Sequence, residues 1–268
     1  MKGIIGSIAG DTIGSAYEFN PTRDYNFKLF TPRSIFTDDT VLTMANALWL
    51  LEDPSHDPQR LVSIMQDMCQ RYPGRGYGGR FAQWIGLNNP QPYESFGNGS
   101  AMRVSPVGYY ATTLDEALRL AEVSAAVTHN HPEGIKGAQA TAAVIFMARA
   151  GRSKQEIKEY VERTFDYNLS RTLEEIRPTY SFNEICQTTV PEAIICYLEG
   201  NGYEDVVRLA VSLAGDADTL AAIAGPMVSA VDDVPADIVQ STLELLSEEF
   251  CNILSQFNYM VAQRTIES

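Results

Sequence analysis

A chain of 268 residues, 45% apolar and 20% charged, can bury a substantial core as one domain spanning 1–268, and nothing in its composition demands a second. Its 34 acids against 20 Lys and Arg leave a net charge of −14, which argues against general nucleic-acid binding and against an anionic-membrane surface, both of which need clustered cations. No apolar run reaches membrane-spanning length. The four cysteines, Cys69, Cys186, Cys196 and Cys251, lack C-x-x-C spacing and read as reduced structural thiols of a cytoplasmic protein.

Along the chain, the apolar start is interrupted by Asp11 and shows no cleavage site, so no signal peptide is expected. Residues 3–18 carry Gly3, Gly6, Gly10 and Gly14 on one stripe of a helix, a smooth strip for a close neighbour. Asp11, Ser15 and Glu18 follow the same period on an adjacent face and point to a shared cavity. Residues 20–34 read as a loop broken by Pro21 and Pro32. Phe36-Thr37-Asp38-Asp39-Thr40-Val41 then opens an apolar helix over 41–51, with Thr37 suited to the N-cap and both acids to the dipole. Asp57-Pro58 starts the next helix, to about Arg71. The stretch 73–79, Pro-Gly-Arg-Gly-Tyr-Gly-Gly, reads as a surface loop, with a substrate lid as the alternative.

Gly97-Asn98-Gly99-Ser100-Ala101-Met102-Arg103 is a glycine turn able to offer N–H groups to a phosphate, with Arg103 adding charge, although it matches neither standard nucleotide fingerprint. Thr113–Glu116 and Ser153–Glu156 have capping-box spacing, and Pro132-Glu133 opens a long small-residue segment. His129 and His131 lie just before it; one histidine near a substrate or capping a helix fits better than a zinc pair. Residues 165–190 read as loop or short pieces, and 203–214 and 235–260 as further helices. Period-two runs are few, so the fold class is mainly α, without an internal repeat.

Gly215-Asp216-Ala217-Asp218-Thr219 leads into a second small-residue apolar helix. Two helices thus open with paired aspartates and threonine and run straight into apolar sequence. Burying four such carboxylates together requires protons, ion pairs or metal, and basic residues near both clusters are scarce. An all-oxygen donor set favours Mg²⁺, Mn²⁺ or Ca²⁺ over zinc, and jointly the clusters indicate a two-metal site rather than capping alone.

Four stretches in this order, Gly10-Asp11-x-x-Gly14-Ser15-x-Tyr17-Glu18, Thr37–Thr40, Gly97–Arg103 and Gly215–Thr219, resemble the ADP-ribosylglycohydrolases, the group of dinitrogenase-reductase-activating glycohydrolases and ADP-ribosyl-acceptor hydrolases. Ala214 stands where many relatives carry a second glycine. The resemblance implies an all-α fold, a single compact domain of orthogonal helices. It implies two divalent cations, Mg²⁺ or Mn²⁺, held by Thr37, Asp38, Asp39, Asp216, Asp218 and Thr219, with Glu18, Asp38 and Asp39 as the catalytic carboxylates. Gly97, Asn98, Gly99, Ser100 and Met102, with His129, would hold the diphosphate and ribose. The implied partner is an ADP-ribosylated protein or small ADP-ribosyl conjugate, linked through arginine, serine or O-acetyl. The alternatives are a catalytically silent ADP-ribose-binding or structural relative, and a hydrolase of another small nucleotide N-glycoside.

Overall fold

The computed structural model describes residues 1–266, and among them the backbone is helical without strands, apart from an isolated antiparallel bridge between Gly97 and Ile185. In chain order the helices are α1 Ile5–Gly14, α2 Asp38–Glu52, α3 Pro58–Arg71, α4 Gly79–Ile85, α5 Gly99–Met102, α6 Ser105–Tyr110, α7 Leu114–Ala126, α8 Pro132–Arg149, α9 Lys154–Phe165, α10 Leu173–Ile176, α11 Cys186–Glu199, α12 Tyr203–Val211, α13 Ala217–Val228, α14 Ala236–Leu243 and α15 Glu248–Ala262. None is long and apolar enough to cross a membrane among the described residues. All four cysteines are free, and all but half-buried Cys251 are buried.

The glycine stripe sets the closest packing in the molecule. A Cβ on Gly6 would lie 2.7 Å from the Gly225 carbonyl, and Gly10 and Gly14 press still closer to the backbone of Ala221 and Asp218. These pairings run in opposite directions along the two chains, so α1 and α13 are antiparallel. The end of α1 therefore meets the start of α13. Pro226 inside α13 has no N–H to give the Ala222 carbonyl, and Ser7 Oγ from α1 donates to that carbonyl instead, at 2.9 Å. Such a helix pair gains little from intrinsic propensity, since glycine is a poor helix former. Its stability comes from contact: every residue of both helices is buried.

Around this pair, α8 packs against α7, α6, α11 and α5, and α2 packs against α3 and α15. Helix starts match the capping chemistry. Thr37 Oγ1 accepts from Asp39 N, Asp57 from Gln59 N, and Ser153 and Glu156 close a full capping box. At α7 the box stays open, because Glu116 turns its carboxylate to Thr112 N and Oγ1.

Three sequence expectations are revised. The first helix ends at Gly14, not near 18, so Ser15 and Glu18 lie in the turn beyond it. Residues 235–260 form two helices, α14 and α15, because Ser247 caps the second by accepting from Phe250 N. The irregular reading of 165–190 holds up to Ile185, but α11 begins at Cys186 and continues through Pro191. That helix is buried on nearly every side, so its sequence carries no polar stripe from which a 3.6-residue period could be read.

Candidate functional site

Three helix ends converge where α1 stops. Asp11, on the last turns of α1, is fully buried and reaches the start of α2. Its carboxylate accepts from Thr37 N at 2.9 Å, Thr37 Oγ1 at 2.7 Å, Thr40 N at 3.1 Å and the Thr40 hydroxyl. Asp11 thus caps α2 from outside and fixes where Asp38 and Asp39 project. Because α13 is antiparallel to α1, Asp216 and Asp218 arrive at the same place. Two helix N-termini, with their partial positive charge, face this cluster.

The carboxylates form two groups with one member in common. Asp11, Asp39 and Asp218 each offer an oxygen within 4.8 Å of the others, and so do Glu18, Asp216 and Asp218. Asp39 Oδ2 accepts from Thr219 Oγ1 at 3.3 Å and Thr37 Oγ1 at 3.4 Å, whereas its buried Oδ1 has no partner. Asp216 accepts from Asn98 Nδ2 at 2.8 Å, and Asp218 from Thr219 N at 3.0 Å. No Lys, Arg or His forms an ion pair with any of these acids among the described residues.

Uncompensated burial has a clear electrostatic signature. It pushes Asp11 and Asp216 up to about 6 and Glu18 up to about 8, with Asp218 and Asp11 adding to the rise at Glu18. Asp38, Asp39 and Asp218 are raised well above the usual carboxylate range, by burial first and by neighbouring aspartates second. Glu18 and Asp218 offer oxygens within 4.8 Å of each other, a separation that a shared proton or a cation would relieve. An orphaned Asp39 oxygen, two oxygen triads and threonine hydroxyls fit hard divalent cations. Asp38, half-buried, belongs to neither triad; its N–H donates to Arg75 O at 2.8 Å.

All of these acids except Asp11 line a cavity of about 270 Å³ whose walls also include Gly97, Asn98, Gly99, Met102 and His129. Of the expected ligand-binding turn, Ser100 faces elsewhere: its buried hydroxyl donates to Gly134 O at 2.7 Å. Thr37 is likewise spent on Asp11, whereas Thr219 lines the cavity. The turn is held against the approach to α11, with Asn98 N donating to Glu184 O at 2.8 Å and Cys186 N to Phe96 O at 3.0 Å. The 73–79 stretch is more than a surface loop, since Gly76, Gly78 and Gly79 form part of the cavity wall, with Arg80 of α4 beside them. His131 caps α8, accepting from Glu133 N.

Sequence reading left out Asp11 as a carboxylate of the cluster, and Tyr93 and Glu184 at the rim. Asp11 had a signal, its helical period with Glu18; Tyr93 and Glu184 had none, because loops bring them in. Arg103 was expected to add charge to the turn, but its fully buried side chain bonds Ser124 O and Thr128 Oγ1 instead.

By fold this is an all-α protein, and its site gathers buried carboxylates beside a cavity walled in part by a glycine turn. The chain belongs to the ADP-ribosylglycohydrolase family, whose model matches residues 1–265. It is 25% identical to the ADP-ribosylhydrolase ARH3 of Homo sapiens over 98% of this chain and 93% of that protein. It is 27% identical to the ADP-ribosylarginine hydrolase Tri1 of Pseudomonas putida (strain GB-1), covering 85% and 69% respectively. A solved structure of an ADP-ribosylglycohydrolase-related protein complex shares the fold, with a TM-score of 0.75 at 22% identity over 96% of each chain.

Proposed function

We propose that this protein is a divalent-cation-dependent hydrolase that releases ADP-ribose from a modified protein side chain. The observation that carries the reading is the gathering of Glu18, Asp39, Asp216 and Asp218 in one cavity whose lining also includes Gly97, Asn98, Gly99 and His129. Asp39, Asp216, Asp218 and the Thr219 hydroxyl would hold two cations, Mg²⁺ or Mn²⁺, with Asp11 fixing the frame, Asp38 beside it and Glu18 free for proton transfer. When bound, the cations supply Lewis-acid chemistry and neutralise the cluster.

The chain's own residues do the rest. The turn and His129 grip the diphosphate and distal ribose and so hold the C1–acceptor bond over the carboxylates. Glu18, in the turn beyond α1, takes a proton from the water whose oxygen bonds to C1 as the C1–acceptor bond breaks, and passes that proton to the departing acceptor. Asp38 and Asp39 stabilise the oxocarbenium-like transition state with their charge. Exposed Phe19 and Phe182 lie with ring centroids 6.3 Å apart, one and two residues in sequence from the cavity-lining Glu18 and Glu184. An acidic, aromatic rim suits a cationic guanidinium better than a neutral hydroxyl, and this favours an arginine linkage over serine.

The test is incubation with arginine-, serine- and O-acetyl-linked ADP-ribose, with and without Mg²⁺ or Mn²⁺, while free ADP-ribose is measured. The expected result is cation-dependent release, fastest from arginine. No release from any linkage, with ADP-ribose still bound in calorimetry, would instead identify a silent binding relative. Absence of both would leave the small N-glycoside hydrolase.

A further inference from the structure

Arg103 is 0% exposed beneath the glycine turn, and its Nε and Nη1 have no hydrogen-bond partner among the described residues. Its Nη2 donates to Ser124 O at 2.7 Å and to Thr128 Oγ1 at 2.9 Å. A guanidinium can only donate. The Thr128 hydroxyl therefore accepts that bond, and its own proton needs an acceptor. The atom in reach is His129 Nδ1, at 2.7 Å. Were Nδ1 protonated, Thr128 Oγ1 would face two donors and its buried O–H would be left unsatisfied, which folded proteins avoid. The Nδ1 lone pair thus receives the hydroxyl, and the ring proton of a neutral imidazole must sit on Nε2.

Nε2 borders the glycine turn. A Cβ on Gly99 would lie 3.1 Å from it, and one on Gly97 3.5 Å. Burial, reinforced by Arg103 and Arg80, holds His129 well below the usual histidine range, so the ring stays uncharged. We propose that Arg103 and Thr128 are positioning residues that lock His129 as its Nε2–H tautomer, presenting one neutral hydrogen-bond donor to an anionic ligand group at the Gly97–Gly99 turn. The ligand part of this assignment rests on the proposed reading of that turn as the diphosphate and ribose site; the tautomer part does not. Arg103 touches no ligand in this scheme. It acts by denying Thr128 any role but acceptor from the guanidinium and donor to the ring.

The experiment is long-range nitrogen–proton NMR on the full chain labelled with ¹⁵N-histidine, with the His129 signals among three histidines assigned from their loss in His129→Gln. Wild type is expected to show one His129 tautomer, protonated at Nε2 with Nδ1 accepting. In Thr128→Val the Nδ1 resonance should move as its donor disappears, and calorimetry should show ADP-ribose affinity weakened about tenfold, the scale of one misplaced hydrogen bond. Thr128→Ser, which keeps the hydroxyl, should restore both to within about twofold. A wild-type Nδ1–H tautomer overturns the proposal, as does a Thr128→Val protein with unchanged Nδ1 resonance and unchanged affinity. If wild type fails to bind ADP-ribose at all, the functional reading falls, while the tautomer spectrum still decides the relay.

Discussion

Replacing Asp216 by Asn separates a cation site from an ordinary polar core. Asp216 is 5% exposed at the start of α13 and accepts from Asn98 Nδ2. Burial lifts its carboxyl from 3.8 to about 6, and at about 1.36 kcal/mol per pKa unit this corresponds to ~3 kcal/mol. The folded-state value is the raised one, so the group favours folding below the unfolded value and that contribution is lost as pH climbs through about 6. In cation-free protein at neutral pH, the charged Asp216 therefore opposes folding. Asn keeps an oxygen for the Asn98 amide and removes the charge. We expect Asp216→Asn to stabilise the chelator-treated protein at pH 7.5 by about 1–3 kcal/mol, raising Tm by about 2–4 °C per kcal/mol. At about pH 4.5 the gain should fall to about 1 kcal/mol, and it should vanish only below the unfolded value of 3.8, where the aspartate is protonated in both states. Adding Mg²⁺ or Mn²⁺ should reverse the order, since wild type gains about 2.7 kcal/mol at a hundredfold excess over Kd and the variant far less. Thermal denaturation at two pH values, with and without cation, measures all of this. A lower Tm for the cation-free variant at pH 7.5 would refute the reasoning, because it would mean that hydrogen bonds already satisfy the carboxylate.

Asp38→Asn should leave the fold intact and reduce ADP-ribose release by about 10²-fold or more, read as initial rates at saturating cation. Gly10→Ala drives a methyl into the Ala221 backbone, and urea denaturation should show a loss beyond about 3 kcal/mol. Ser7→Ala strips the Ala222 carbonyl of the donor that replaces the missing Pro226 amide, for which about 1–2 kcal/mol is expected in the same assay. Ala214 has a left-handed φ of +60°; Ala214→Gly should therefore gain about 1 kcal/mol, whereas an unchanged midpoint would show that the turn carries no strain there.

Much of the site was legible in the sequence because its chemistry is local. A helix start announces itself through threonine and aspartate at fixed offsets, and two such starts heading into apolar sequence left four carboxylates without cations nearby. The all-α class followed from periodicity, and the close packing of the first helix from glycines at spacings of three and four. Harder to read was whatever depends on burial all round: α11 has no polar stripe and includes a proline, so nothing marked it as helix.

The tertiary structure alone decided which acids meet and what each one does. Asp11, on a separate helix, organises the α2 start, because the antiparallel α1–α13 contact brings Asp218 beside it. Asp38, adjacent in sequence to Asp39, stands outside both triads, since successive residues on a helix point about 100° apart. Glu184 and the segment from Gly76 to the start of α4 join the cavity through main-chain and packing contacts that no side-chain pattern encodes. Sequence determined the chemical types and the helix ends that carry them; the selection among those carboxylates came from the glycine-permitted approach of two helices.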